Sequence, residues 1–353
     1  MKKFLLPALA AALLLAATAV AAPLDAFKGM KGTLDIAGGT AHIPVMKEAA
    51  KRIMTANPDI RITVAGGGSG VGVQQVGEGL VQIGNTGRPL KDKEIEKFGL
   101  KTFPFAIDGV ALVVNPANNV SDITAQQAAD IYNGKITNWK ELGGTDAPIT
   151  LYTREDGSGT REVFVERALN KGSIVQSANV VNSNGAMKTA VAQDKQSIGY
   201  VGIGHVDKNV KALVFDKMVP SQENASNGTY KVTRLLFMNT KGAPEGITKA
   251  FIDYIYTPEG TEIIKKSGYI PTGRQSPTCH EARGGTSLPS PYIHPLMNRS
   301  ARPRAHWRWR PLLPPKKRTP TPPSTSSGKI GIRARQKRTS PEEKGWARAA
   351  LAV

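Results

Sequence analysis

Two short loops, Gly66-Gly67-Gly68-Ser69-Gly70 and Asp156-Gly157-Ser158-Gly159-Thr160, constrain this chain more than any other feature. Each follows a run that reads as a strand and opens one that reads as a helix. Ile60 to Ala65 precedes the first loop and Val71 to Leu80 follows it; Ile149 to Thr153 precedes the second and Glu162 to Leu169 follows it. Strands alternating with helices through such turns make an α/β fold, whose ligands sit at the carboxyl ends of the strands. A helix N-terminus carries unpaired N–H groups and the positive end of the macrodipole, so it suits an anion. Glycine lets the backbone come close to a ligand, and Ser or Thr adds a hydroxyl and caps the helix. The two loops lie about ninety residues apart, which implies one oxyanion held between two parts of the fold.

The rest of the pattern agrees with α/β. Thr33 to Ala37 reads as a strand, Gly38-Gly39-Thr40-Ala41 as a third loop, and Ile43 to Thr55 as a helix ended by Asn57-Pro58. With the strand at Ile60 this is a parallel crossover unit. Val81 to Gly84 is a short strand, Lys91 to Lys97 a solvated helix, and Val110 to Asn115 a buried apolar strand. Ala125 to Tyr132 and Ala186 to Gln193 are helical, Ile198 to Val201 is a strand, and Ile247 to Ile255 and Glu259 to Lys266 are closing helices. No internal repeat of fixed period is present. The roughly 250 patterned residues suffice for one or two α/β lobes.

Thr40, Ser69, Ser158 and Thr160 project from these loops, either as one shared anion site or as ordinary helix caps. Arg154 offers a rigid donor fork that matches a tetrahedral oxyanion. Asp156 either orients that guanidinium or stabilises the helix start. Arg161 reads as a solvated helix residue, while Arg88, in Gly84-Asn85-Thr86-Gly87-Arg88-Pro89, is a second charged donor or a surface residue. Other chemistries fit poorly. The first loop lacks the Lys-Ser/Thr of a nucleotide loop and the third glycine of a dinucleotide loop, and neither serine sits in a nucleophile elbow. Before the tail the only histidines are His42 and His205, so no paired-His metal motif exists and no metal or cofactor is called for.

The two ends of the chain read differently. Lys2 and Lys3, the apolar run Phe4 to Ala17 and Ala19-Val20-Ala21 form a cleavable export signal over residues 1–21. After Arg274 the composition shifts. Sixteen of the 47 Lys/Arg, three of the 28 Asp/Glu and half of the 24 prolines fall in 275–353, which reads as disordered. That tail carries most of the net charge of +19, so the basic balance is no nucleic-acid signature for the globular part. Trp307-Arg308-Trp309-Arg310 and Lys316-Lys317-Arg318 make it either a basic arm or an extension without a role. With one cysteine, Cys279, there is no intrachain disulfide.

At these motifs the chain resembles the periplasmic phosphate-binding proteins of phosphate ABC transporters. The resemblance runs through Gly38-Gly39-Thr40-Ala41, the Gly66 loop, Ile83 to Leu90, Asp108-Gly109, Tyr132 to Trp139, Thr153 to Arg161, Ser197 to Val201 and Gly268-Tyr269-Ile270-Pro271. It implies a monomeric two-lobed clamshell of mixed, mostly parallel sheets flanked by helices. The first lobe would be 24–108 with 231–274 and the second 109–230. It also implies that Thr40, the Ala41 amide, Ser69, Arg154, Ser158, Gly159 and Thr160 bind inorganic phosphate, that Asp156 partners Arg154, and that membrane permease subunits receive the ligand. The implied protein is periplasmic and not an enzyme.

One departure bears on selectivity. Many members carry an aspartate in a Ser-Asp-Ala-Pro stretch that accepts the proton of hydrogen phosphate; here Gly87-Arg88-Pro89 occupies that stretch and the carboxylate is missing. Asp108 is the candidate replacement, against the plain reading of an Asp-Gly turn. Two further readings stay open: a binder of another oxyanion such as sulfate, tungstate or a phosphonate, and a secreted phosphate-ester hydrolase using Ser69 or Ser158.

Overall fold

The computed structural model describes residues 23–274. The expected export signal at 1–21, the basic tail at 275–353 and Cys279 lie outside the described residues.

The chain opens with β1 (Gly32–Gly38), α1 (Ile43–Ala56), β2 (Ile60–Gly67), α2 (Gly68–Glu78), β3 (Ile83–Thr86) and α3 (Asp92–Phe98). A long strand follows, β4 (Leu100–Val114), then β5 (Asp122–Ile123), α4 (Ala125–Tyr132), β6 (Thr150–Arg154) and α5 (Gly159–Val163). Next come β7 (Asn179–Val181), α6 (Asn184–Gln193), β8 (Ser197–Gly202), β9 (Lys211–Ala212), β10 (Val214–Phe215) and α7 (Gln222–Ser226). The described part closes with β11 (Thr233–Lys241), α8 (Gly246–Ile255), α9 (Pro258–Lys266) and β12 (Ile270–Pro271).

Ten strands pair into one mixed sheet in the order β2-β1-β3-β11-β4-β8-β6-β7, with β12 and β9 also pairing β4. Pairing is parallel at both ends, as crossover helices require, and antiparallel around β4 and β11. In α1 the buried Val45, Met46, Ala49, Ala50 and Ile53 form a stripe at helical spacing that packs on the first half of the sheet. The core is divided. Phe103, Phe105, Ala106, Leu236 and Met238 belong to one cluster with α1, α8 and α9, whereas Val110, Leu112, Val114, Tyr200 and Val232 belong to another with α4 and Phe164. Strand β4 contributes to both clusters, and Val232, just before β11, and Leu236, within it, lie on either side of the same divide.

Four elements differ from the sequence pattern. The apolar run at Val110 is only the second half of β4. Its first half carries Pro104, which pairs with Phe237, and the register with β11 shifts between Leu236 and Phe237, so that Phe105, next to the proline, is the extra residue of a bulge. Strand β11 gave no alternating signal because both its faces are covered over Leu236 to Thr240. Helices α2 and α5 start inside the glycine loops, and α5 gives way after Val163 to a π turn over Phe164–Ala168.

Candidate functional site

Three strand ends build the site. At the end of β1, Gly38 has φ +120°, and a Cβ there would sit 2.7 Å from Gly72 Cα, so only glycine lets this loop pass under α2. The 3-10 turn Thr40–His42 follows. At the end of β2, Gly67 and Gly68 both take positive φ, swinging the chain into α2 with the buried Ser69 in its first turn. At the end of β6, Ser158 caps α5 by accepting from Arg161 N at 3.3 Å, and Gly159 and Thr160 form its first turn. The two glycine loops touch: Gly70 N donates to Gly157 O at 3.0 Å.

Between them lies a pocket of about 190 Å³. Thr40, Ala41, Ser69, Arg154, Ser158, Gly159 and Thr160 all line it, with Gly39, His42, Gly68, Gly87 and Arg234. The room inside it for the centre of a water-sized guest is only about 10 Å³, so it holds a small guest.

Arg154 is buried at the end of β6. Its Nε and Nη2 donate to Glu155 at 2.8 and 2.7 Å, with further bonds to Val181 O and Asn182 O, which leaves Nη1 beside Thr40 Oγ1 at 3.5 Å. The expectation that Asp156 partners Arg154 is corrected here. Asp156 is exposed and pairs with Arg161 at 3.1 Å, because the turn into Gly157 aims it outward and Glu155 inward. Arg161 in turn donates to Arg154 O at 2.8 Å, so it is a brace and not merely solvated.

Arg88, Thr86 and Asp108 do not line the pocket. Arg88 is neither a ligand-facing donor nor a surface residue; it is buried in ion pairs with Glu94 at 2.8 Å and Glu162 at 2.6 Å. Thr86 donates to Arg88 O at 2.9 Å and accepts from Asn239 Nδ2 at 3.1 Å. Asp108, expected to face the ligand, faces Arg234 instead. The two are direct cross-strand partners of β4 and β11, and Arg234 Nε and Nη2 donate to Asp108 Oδ2 at 3.0 and 2.7 Å. Burial pushes the Asp108 carboxyl up from its ordinary value, while the Arg234 guanidinium pulls it back.

Arg234 is one of two pocket side chains, with His42, that sequence reasoning missed. Its Nη1 donates to Thr160 Oγ1 at 2.8 Å. The available signal was a charge inside each of two apolar runs, Phe105-Ala106-Ile107-Asp108 and Arg234-Leu235-Leu236-Phe237, since such charges stay buried only when paired. His42 also lines the pocket. Burial, helped by Arg234, lowers it to about 3, so the imidazole is neutral, with Nδ1 at 3.1 Å from Gly39 O. Among the described residues no cluster of three or more metal-ligating side chains occurs.

Residues 28–259 match the model of the PBP superfamily domain. The phosphate-binding protein PstS of Bacillus subtilis is 39% identical over 253 residues, which cover 70% of this chain and 84% of that protein. The chain belongs to the phosphate-binding protein family. Family resemblance extends to solved structures. A substrate-binding protein from Clostridium perfringens, solved with bound phosphate, is 38% identical with a TM-score of 0.65, over 68% of this chain and all of that one (100%). An ABC-type phosphate transport receptor from Vibrio cholerae is 36% identical with a TM-score of 0.56, over 67% of this chain and 99% of that one. The fold is accordingly the α/β periplasmic-binding-protein fold, its mixed sheet flanked by helices.

Proposed function

We propose that the protein binds one inorganic phosphate in this pocket and delivers it to the permease of an ABC transporter. It is a transport receptor and not an enzyme. The observation that carries the reading is the convergence of hydroxyls, loop amides and a guanidinium from three separate strand ends on one small pocket. In it Thr40, the Ala41 amide, Ser69, Arg154, Ser158, Gly159 and Thr160 hold the anion. The divided core supports a clamshell. Residues 24–108 with 231–274 form one lobe and 109–230 the other, hinged where β4 and β11 pass from one cluster to the other. Closure brings the Gly66 loop against the Gly157 loop. No described helix is long and apolar enough to cross a membrane; a place outside the cytoplasmic membrane follows from the family and from the expected signal at 1–21.

Charge-assisted hydrogen bonds contribute about 1.5–3 kcal/mol each, enough for micromolar or tighter binding after closure and desolvation. Hydrolysis of an ester lacks an activated nucleophile: Ser69 Oγ accepts from Gly87 N at 3.0 Å and Ser158 Oγ from Arg161 N, and neither meets a base. Calorimetric titration with inorganic phosphate tests the reading. Saturable one-to-one binding, weakened at least about tenfold in Arg154→Gln, is expected; absence of binding by the intact chain refutes it.

A further inference from the structure

Asn184 opens α6 and is wholly buried, yet it does not line the pocket. A buried amide is costly unless its oxygen and its nitrogen both find partners. Here the partners belong to two other elements. Asn184 Oδ1 accepts from Gly202 N, at the end of β8, at 3.1 Å. Its Nδ2 and its backbone N donate to Thr40 Oγ1 at 3.0 and 3.2 Å. The capping of α6 is left to Ser183, which accepts from Ala186 N at 2.9 Å. The amide of Asn184 is thus spent across the cleft, because Thr40 follows β1 whereas α6 and β8 lie within 109–230.

The lone pairs of Thr40 give this contact its consequence. A threonine hydroxyl has two lone pairs and one proton. Asn184 occupies both lone pairs, and Arg154 Nη1 stands at the long distance of 3.5 Å. What remains at Thr40 is its proton, and Thr40 lines the pocket. Without Asn184 the hydroxyl is a rotor that offers an anion a lone pair as readily as a proton. The same short segment serves the other wall, since Val181 O and Asn182 O accept from Arg154 Nε and Nη2 at 3.1 and 3.3 Å. Residues 181–184 therefore hold a cation of their own region and a hydroxyl of the other.

We infer that Asn184 is the positioning residue that couples closure of the cleft to the anion: its two bonds to Thr40 form as the two regions meet and turn the Thr40 proton toward the guest. The inference rests on the phosphate and clamshell reading above and names the residue through which closure acts on that site. Asn184 does not touch the guest; its effect passes through Thr40. The guest enters the open form, in which the contact is not made. Losing Asn184 should therefore shorten the stay of the anion and leave its arrival unchanged.

The test is a double-variant cycle on the intact protein with inorganic phosphate, using calorimetry for affinity and stopped flow for association and release. Asn184→Ala is expected to weaken phosphate by about 10–100-fold, the worth of one hydrogen bond to a charged group. Release should carry that loss, with association changed by less than about threefold. Thr40→Val should lose a similar factor, and Asn184→Ala with Thr40→Val together no more than the larger single loss, because both changes remove the same donated proton. The bond to Gly202 N is lost as well, and its cost is read separately in urea melts without anion. Unchanged affinity in Asn184→Ala, losses that multiply in the double variant, or a loss carried by association would each show that Asn184 only ties α6 to β8, and would overturn the inference. If Asn184→Ala does not fold, Asn184→Ser, which keeps a polar group at the position, enters the same cycle and the same outcomes decide. If the parent binds no phosphate, the phosphate reading itself falls.

Discussion

Arg154 and Arg234 reach one pocket from unlike surroundings. Arg154 sits at a strand end, where Glu155 (26% exposed side chain) and the carbonyls of Val181 and Asn182 share its donors. Arg234 sits within a central strand, and its charge is balanced by Asp108 alone, whose side chain is 0% exposed. The first arrangement spreads the cost of a buried cation over several neighbours, one of them open to water. The second concentrates it in a single pair, so the whole penalty of an uncompensated charge falls due when either member goes.

The largest expected effect follows from that contrast. Asp108→Ala should cost about 3–5 kcal/mol of unfolding free energy, the range for breaking a buried pair. Glu155→Ala should cost less, about 1.5–3 kcal/mol, because two carbonyls remain for Arg154 and Glu155 is itself partly exposed. Urea melts of both variants without added anion check this, and equal losses would break the comparison. Added phosphate should return part of the Asp108→Ala loss, since an anion bound to the folded state only stabilises it.

The two loops can be set against each other in the same way. A Cβ on Gly159 would collide with Ser69 Oγ and come within 3.2–3.3 Å of the Gly87 backbone, whereas one on Gly70 would meet Gly157 at an ordinary 3.5 Å. Gly159→Ala should therefore cost about 1–3 kcal/mol of phosphate binding, the usual cost of overpacking. Gly70→Ala should change affinity by less than about threefold, within the small scatter of unstrained substitutions. Titration of the two variants side by side decides the point.

Each corner also has a histidine kept neutral by burial. Arg234 helps lower His42 to about 3, and Lys188, Arg234 and Arg154 help lower His205 to about 4. Both folded values lie below the ordinary 6.5, so the unfolded chain binds protons that the folded one refuses. Stability is present in full above 6.5 and drains as pH falls, until His205 takes its proton near 4 and His42 near 3. His42→Gln removes one of these protons. Its stability should fall less steeply than that of the parent between about pH 6 and pH 5, by about 1.4 kcal/mol per pH unit. Parallel slopes in melts across that interval would show that His42 is not held neutral.

The Arg154 corner was legible in the sequence because everything that positions it is local. Strand, glycine turn, capping serine and helix follow one another from Thr150 to Val163, and each has a residue-level signature. Glu155 took the role expected of Asp156 because one residue of turn geometry decides which carboxylate points inward, and composition does not encode that. The Arg234 corner depends on a pairing across 126 residues. Nothing near Arg234 announces a strand, since β11 is covered on both faces, and nothing near Asp108 distinguishes a cross-strand partner from an Asp-Gly turn. Local chemistry found the loops; only the register of β4 on β11 found the second cation.

A third guanidinium sharpens the contrast by staying outside. Arg88 lies beside Gly87 but turns from the pocket to Glu94 and to Glu162, which also meets Lys91 at 3.3 Å. Glu162 follows the second glycine loop and Arg88 follows β3, so this ion pair joins the two core regions at the edge of the pocket. If the two core regions part as the proposed lobes, that opening has to break it. Glu162 is partly exposed at 35%, so the pair is worth no more than about 1 kcal/mol and is screened by salt. Glu162→Gln should thus raise the phosphate dissociation rate by less than about fivefold, and the difference from the parent should shrink in high salt. Stopped-flow release measured at low and high sodium chloride reads both effects. A larger, salt-independent change would mean that Arg88 had turned into the pocket beside Arg154 and Arg234, and a lining with two cations would give way to one with three.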